Sequence, residues 1–420
     1  MEETSILLDF MSLIFGAALA IFVLLRIQAK AKPEERNFLS QVFLLAFVLR
    51  ALLACAIYFG NMQLFFGGDA LGYDLVALEI SRFWSGELPF IPDWVKFFLA
   101  GEHYGFYYWI AFFYYTIGRV PLLIQMFNCV LGALTTLIVY KIAELLFNRP
   151  VARTSAYFIA LFPVFIIWSS QMLREAAIVF FINLTIYTFL LLRRQFRLLY
   201  FTGFLISIAL LNPLRTYIFY ILLMAILGAY MIAGRGNLMM GIIKRAFVVI
   251  IIGMVLITYS DRVQAQIQRL ALERVLEQID VSRRGLAVEG ESGFLRSVRV
   301  SSLQDALALI PVGTFYVLLS PFPWEVRNFR QAVTLPETLL WWIVFPFAIR
   351  GCFFSLRHRF RDSLVILLFI TGLILFYSVF QGNVGTIYRQ RVQLQTFLFI
   401  FASTGFFLLG GPRAQRLLKR

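Results

Sequence analysis

Two carboxylates, Asp69 and Asp74, stand in the stretch Gly67-Gly68-Asp69-Ala70-Leu71-Gly72-Tyr73-Asp74, directly after a long apolar run. At a membrane edge a carboxylate can serve as a general base, because partial burial raises its pKa toward the working range. The competing reading is that either acid simply caps the helix that follows. Arginines supply the second kind of chemistry. Arg174, followed by Glu175, stands at the edge of an apolar run, as does Arg215 in Asn212-Pro213-Leu214-Arg215-Thr216, and so do Arg389 and Arg391 in Tyr388-Arg389-Gln390-Arg391. A guanidinium grips phosphate oxygens two at a time, so these sites could hold an anion such as a lipid phosphate. Ion pairing or snorkelling to the interface is the alternative at each. Arg50 differs in lying well inside an apolar run, where a charge must face the bundle interior. Carbonyl contacts or an ion pair there are the simplest expectation, and contact with a bound head group is the other. The two histidines, His103 and His358, fall on opposite sides of the topology below, which disfavours a histidine metal site or a catalytic triad.

The elements that must position these residues are apolar helices. Hydrophobic residues make up 60% of the 420, charged residues only 15%, and the mean hydropathy is +0.81. Apolar runs of roughly 17–25 residues recur along the chain, each long enough to cross about 30 Å of hydrocarbon as a helix. The fold class expected is all-α, a polytopic transmembrane bundle forming one membrane domain over residues 1–420. Candidate spans fall near 6–27, 38–60, 120–147, 151–170, 173–193, 198–212, 215–233, 243–259, 336–350, 362–380 and 391–410. That makes eleven, rising to twelve or thirteen if outer segments also cross. The first run lacks a basic start and a small-residue cleavage pattern, so it reads as a retained helix.

Basic residues then orient the set. Arg26, Lys30, Lys32 and Arg36, then Arg149 and Arg153, then Arg193, Arg194 and Arg197 follow alternate spans. Arg235, Lys244 and Arg245, then Arg350, Arg357, Arg359 and Arg361, and the tail Arg413, Arg416, Lys419 and Arg420 continue the alternation. All fall on one side, the cytoplasmic one, if the N-terminus is outside. The +15 net charge therefore reports orientation, and nucleic acid is not expected as a partner. Two long outer segments result, 61–119 and 260–335, and long structured loops tend to be functional. The first mixes amphipathic and aromatic stretches suited to interfacial helices, including Phe83, Trp84, Trp94 and the run 104–117. The second holds an amphipathic pattern over 261–280 and an apolar stretch, 305–323, that reads as re-entrant or tilted. Cys55, Cys129 and Cys352 are scattered and read as packing residues.

Taken in order, these motifs resemble the polytopic glycosyltransferases of the C superfamily, in particular glycosyltransferase family 39, the protein O-mannosyltransferase and aminoarabinose transferase group. The resemblance covers most of residues 38–411. It rests on Asp69, Tyr73 and Ala77 in an acidic motif after an early helix, the aromatic helix 104–117, and Gly132-Ala133-Leu134 running to Arg149. Pro163 with Arg174, Ser320 to Trp324, and Tyr388 to Arg391 complete it. It departs at Ala70, where many members carry a second acid, and at Glu175, where related sequences often place Asp.

The resemblance implies transfer of a sugar from a polyprenyl-phosphate donor to a lipid, glycan or protein acceptor, with inversion. Asp69 would be the catalytic base and Arg174, Arg389 and Arg391 the donor-phosphate ligands. Arg215 would be a weaker ligand, and Tyr73, Asp74, Glu175, Tyr388 and Arg50 would support them. No particular cofactor is implied, although a divalent ion could sit near Asp69 and Asp74. The expected location is a bacterial inner (plasma) membrane, with the active face outside the cytoplasm. An O-antigen-type polymerase or ligase is the nearest alternative. A lipid-sugar flippase is another, although the sequence shows no inverted repeat.

Overall fold

The structure, a computed structural model, describes residues 2–66, 68–101, 104–232, 251, 272–289, 292–294, 298–326, 328–411 and 418. All of the expected span at 243–259 except Ile251, the first part of the expected helix 261–280, Gly67, His103, Arg235, Lys244, Arg245 and the basic tail after Gly411 lie outside these residues. The described chain is helical, with one isolated bridge between Gly293 and Asn383. In order come α1 Glu2–Lys30, α2 Pro33–Phe59, α3 Gln63–Phe66, α4 Asp69–Trp84, α5 Asp93–Leu99 and α6 Tyr104–Ile117. They are followed by α7 Pro121–Leu146, α8 Arg149–Leu161, α9 Pro163–Ser169, α10 Glu175–Arg194, α11 Leu198–Leu214 and α12 Thr216–Ile232. The remainder are α13 Leu272–Glu289, α14 Leu303–Leu319, α15 Phe329–His358, α16 Phe360–Phe380, α17 Val384–Gln390 and α18 Val392–Phe407.

Among the described residues seven helices are long and apolar enough to cross a membrane, or eight if α8 and α9 count as one bent span. The protein is an all-α polytopic membrane bundle. Three apolar helices expected as spans or partial spans, α11, α12 and α14, are shorter at 17 residues each. At 30 residues α15 is far longer than the expected 336–350, and at 1.5 Å per residue it extends roughly 45 Å, beyond the hydrocarbon thickness. The segment 61–119, expected to lie outside, contains four helices, α3 to α6. The segment 260–335 contains α13 and α14, and α14 begins with a capping box between Ser302 and Asp305.

The chain divides into two compact units. The first comprises Met1–Tyr220, Leu339–Asp362 and Val392–Arg420, and the second Ile221–Thr338 and Ser363–Arg391. Within the first, α7, α10 and α18 form the interior, with 78%, 72% and 83% of their most apolar stretches buried, whereas α1 is peripheral at 17%. Small residues let helices touch. A Cβ on Gly351 of α15 would lie 1.9 Å from the Phe401 carbonyl oxygen, and one on Gly405 of α18 would lie 2.0 Å from that of Phe347.

The expected single span over 151–170 is instead broken by 54° between α8 and α9. Pro163 causes this, because it has no N–H to return to the carbonyl four residues earlier, that of Ile159. Arg50 replaces the missing donor. Its guanidinium donates to the carbonyls of Ile159 (2.8 Å), Ala160 (3.2 Å) and, on its own helix, Ala46 (2.9 Å). The carbonyl-contact reading therefore accounts for a fully buried charge in α2. Room for it comes from Gly132 on α7, where a Cβ would stand 2.7 Å from Arg50 Nε. Arg50→Leu should destabilise the protein by about 2–5 kcal/mol, since two buried carbonyls would lose their partner. Adding Pro163→Ala should recover part of that loss by restoring an N–H. Detergent unfolding midpoints of the single and double variants measure the coupling, and strict additivity would refute this account.

Charged side chains distinguish two opposite ends of the first unit. At one end Arg149 binds Glu34, and its Nε lies 3.1 Å from Glu35, while Lys141 bridges Glu35 (2.8 Å) and Glu144 (3.0 Å). Arg194 reaches the Leu145 carbonyl (2.5 Å) and Arg193 that of Arg361 (2.7 Å). Four of the basic turns read from the sequence thus share one end. Arg174, the N-cap residue of α10, lies at the other, since α10 carries Arg193 and Arg194 in its last turn, about 30 Å away along the helix.

Candidate active site

The site is built on the head of α4. Gly68 is its N-cap and no side chain caps it, so neither Asp69 nor Asp74 serves as the helix cap. Asp69 falls in the first turn, where the unsatisfied N–H groups and the helix dipole favour a negative charge. Successive steps of four residues place Asp69, Tyr73 and Ala77 along one stripe of α4. The stripe runs from an exposed acid, through Tyr73 at 7% exposure, to a fully buried alanine. The motif is thus a helical face whose head stands outside the core. The partial burial expected to activate Asp69 is not supplied by the protein itself, because the residue is exposed.

Tyr73 is held by α6. Its ring packs edge-on against Phe106 (5.0 Å) and tilted against Tyr107 (5.1 Å), and the Arg174 guanidinium lies 6.0 Å from its centroid. The Tyr107 phenol is pushed up to about 12, first by burial and then by Tyr73 and Asp69, with Arg174 opposing. Asp69, Tyr73, Tyr107 and Arg174 therefore share one electrostatic neighbourhood. Arg174 is nearly buried and sits in the non-helical link between α9 and α10. That link is fixed by Asn128 of α7, whose amide donates to the carbonyls of Gln171 and Leu173, both at 2.8 Å. Asn128 is not among the residues expected from the sequence, although an amide inside an otherwise apolar helix is a visible signal.

The other expected residues are placed differently. Asp74 is buried and accepts from Arg119 Nε (3.1 Å), from Arg119 Nη2 and from the Tyr114 hydroxyl (2.7 Å). Asp69 and Asp74 do not converge, because five residues of helix turn them about 140° apart. Among the described residues no three His, Cys, Asp or Glu side chains gather as a metal site would require. Arg119 borders an apolar run like the arginines singled out from the sequence, and it too is absent from the expected set. Arg215 pairs with Glu175 at 3.4 Å, both essentially buried, which is the ion-pair reading of that arginine. Its place as C-cap of α11 also suits a cation at a helix C-terminus.

In the second unit Arg391 is fully buried. It donates to the Ser320 carbonyl and to that of Leu318 (3.4 Å), at the C-terminal end of α14. Its guanidinium lies 5.6 Å from the ring of Tyr388, whose hydroxyl donates to Glu337 of α15. Arg389 is half-buried on α17, a helix that Asn383 caps by accepting from Gly385 and Thr386. A buried arginine unforeseen in the sequence, Arg283 on α13, donates to the Gln381 carbonyl (2.9 Å) and stands 5.1 Å from the Phe294 ring.

A comparison with protein families bears on this geometry. Residues 104–259 match the family model described as dolichyl-phosphate-mannose-protein mannosyltransferase. No curated protein matches the chain. The matched stretch begins at α6 and includes Asn128, Arg174, Glu175 and Arg215, while Asp69 precedes it. The match supports the resemblance to glycosyltransferase family 39 drawn from the sequence, and with it a membrane glycosyltransferase that uses a lipid-linked sugar donor.

Proposed function

We infer that the protein transfers a sugar from a polyprenyl-phosphate donor to an acceptor hydroxyl at the non-cytoplasmic face of its membrane. The observation that carries this reading is the grouping of an exposed carboxylate, Asp69, with a nearly buried guanidinium, Arg174, around Tyr73. Asp69 takes the proton of the acceptor hydroxyl as its oxygen attacks the anomeric carbon. The bond from that carbon to the phosphate oxygen breaks, and its electron pair leaves with the phosphate, whose growing charge Arg174 stabilises. A single displacement of this kind inverts the anomeric configuration. Because Asp69 is exposed, its desolvation is left to the bound donor and acceptor. Sidedness follows from the positive-inside rule, which makes the basic end of the first unit cytoplasmic and the Arg174 end outer. Arg174 leads among the arginines, since Arg215 is paired with Glu175 and Arg391 serves a helix end. Arg389 is kept as a phosphate-ligand candidate on its chemistry alone.

The test is purified protein in sealed vesicles with a labelled polyprenyl-phosphate sugar. Release of carrier phosphate coupled to glycosylated acceptor supports the transferase. Carrier movement across the vesicle without bond cleavage would replace it with a flippase.

A further inference from the structure

The buried acid Asp74 has no role in the reaction as described, yet it lies one residue from Tyr73 and is among the most fully engaged side chains of the first unit. It receives the Nε–Nη2 edge of the Arg119 guanidinium on its two carboxylate oxygens, and the Tyr114 hydroxyl. The same hydroxyl stands 3.7 Å from Met172 Sδ. Met172 belongs to the link that ends at Arg174, and Asn128 holds the carbonyls on either side of it. Burial and Asp74 together push the Tyr114 phenol well above its usual value, so the hydroxyl keeps its proton and remains a donor. A short path therefore runs from the helix that carries Asp69 and Tyr73, through Asp74 and Tyr114, to the link that carries Arg174.

We propose that Asp74, Tyr114 and Arg119 form a cross-tie that sets the position of α4 against the 170–174 link, acting as positioning residues for the proposed base and phosphate ligand. This rests on the transferase reading above. The tie bears on the transition state more than on the bound donor, because it fixes the separation of two groups that must act together. A misplacement of about 1 Å between such groups can lower a rate by about 100-fold.

Tyr114→Phe is the cleanest probe, since it removes one hydroxyl and leaves the Asp74–Arg119 pair intact. Its kcat should fall by about 10- to 100-fold with donor KM unchanged, the pattern of an interaction made only in the transition state. Hydrogen exchange at residues 69–77 and 170–175 should quicken in both segments. Arg119→Lys, which retains the charge but not the two-point grip, should lose less activity than Arg119→Gln. Unchanged exchange in either segment, or a loosened pair with unchanged kcat, overturns the proposal. Asp69→Asn, run alongside, separates the two ideas. If that variant transfers sugar at the full rate, Asp69 is not the base, and the positioning role falls with that assignment whatever the exchange shows.

Discussion

Asp69→Asn should lower kcat for sugar transfer by about 10²–10⁴-fold, the usual range for loss of a positioned general base. Donor binding should change little, because the amide keeps the size and hydrogen-bonding shape of the acid. The site argues for a clean result. Asp69 is exposed and is not the cap of its helix, so its replacement leaves the packing of α4 intact. The first turn of α4 would lose one favourable charge, worth about 0.3–1 kcal/mol of stability. Steady-state kinetics with a labelled donor, together with an unfolding midpoint, measure both quantities. Full activity in the variant would remove Asp69 from the chemistry.

Replacing Arg174 should have a comparable effect through the other partner of the reaction. Arg174→Ala is expected to reduce kcat by about 10²–10³-fold, the magnitude typical of losing one preorganised group at the site of developing charge. Arg174→Lys should recover only part of this, because an ammonium lacks the planar, two-pronged grip on phosphate. The same variants decide between that role and a structural one. If Arg174 serves chiefly to pack over Tyr73, Arg174→Ala will lower the unfolding midpoint and leave kcat per folded molecule unchanged. A loss in kcat with an unchanged midpoint favours the phosphate role.

Much of the architecture is legible in the amino-acid sequence, and for a definite reason. A helix that must satisfy its own backbone in lipid needs a long apolar run, so α2, α7, α10, α16 and α18 are written directly in the composition of the chain. The alternation of basic turns is equally legible, and four of those turns do share one end of the first unit. Local breaks are harder to read. Pro163 announces a disrupted helix, but nothing near it in sequence shows that Arg50, more than a hundred residues earlier, supplies the missing donor.

The candidate site is legible only in part. Asp69, Tyr73 and Ala77 fall at helical spacing, so their common face follows from the sequence. That Asp74 turns away follows too, once α4 is helical. Their partners do not follow. Arg119 and Arg174 both border apolar runs, and spacing alone cannot tell which of them meets Asp74 and which lies over Tyr73. Arg215 and Arg391 have the chemistry of further phosphate ligands, and the structure gives one to Glu175 and the other to the carbonyls ending α14.

Residue order alone therefore dictates a helical membrane protein, the ends of its helices that carry positive charge, and the stripe of α4 that presents Asp69 and Tyr73. These properties are local, set by the transfer of side chains into lipid and by the pitch of one helix. Which arginine is tied to a carboxylate, which serves a broken helix and which lies over Tyr73 is settled by the packing of helices far apart in the chain. A long charged side chain can reach several partners, and only the arrangement of those distant helices selects among them.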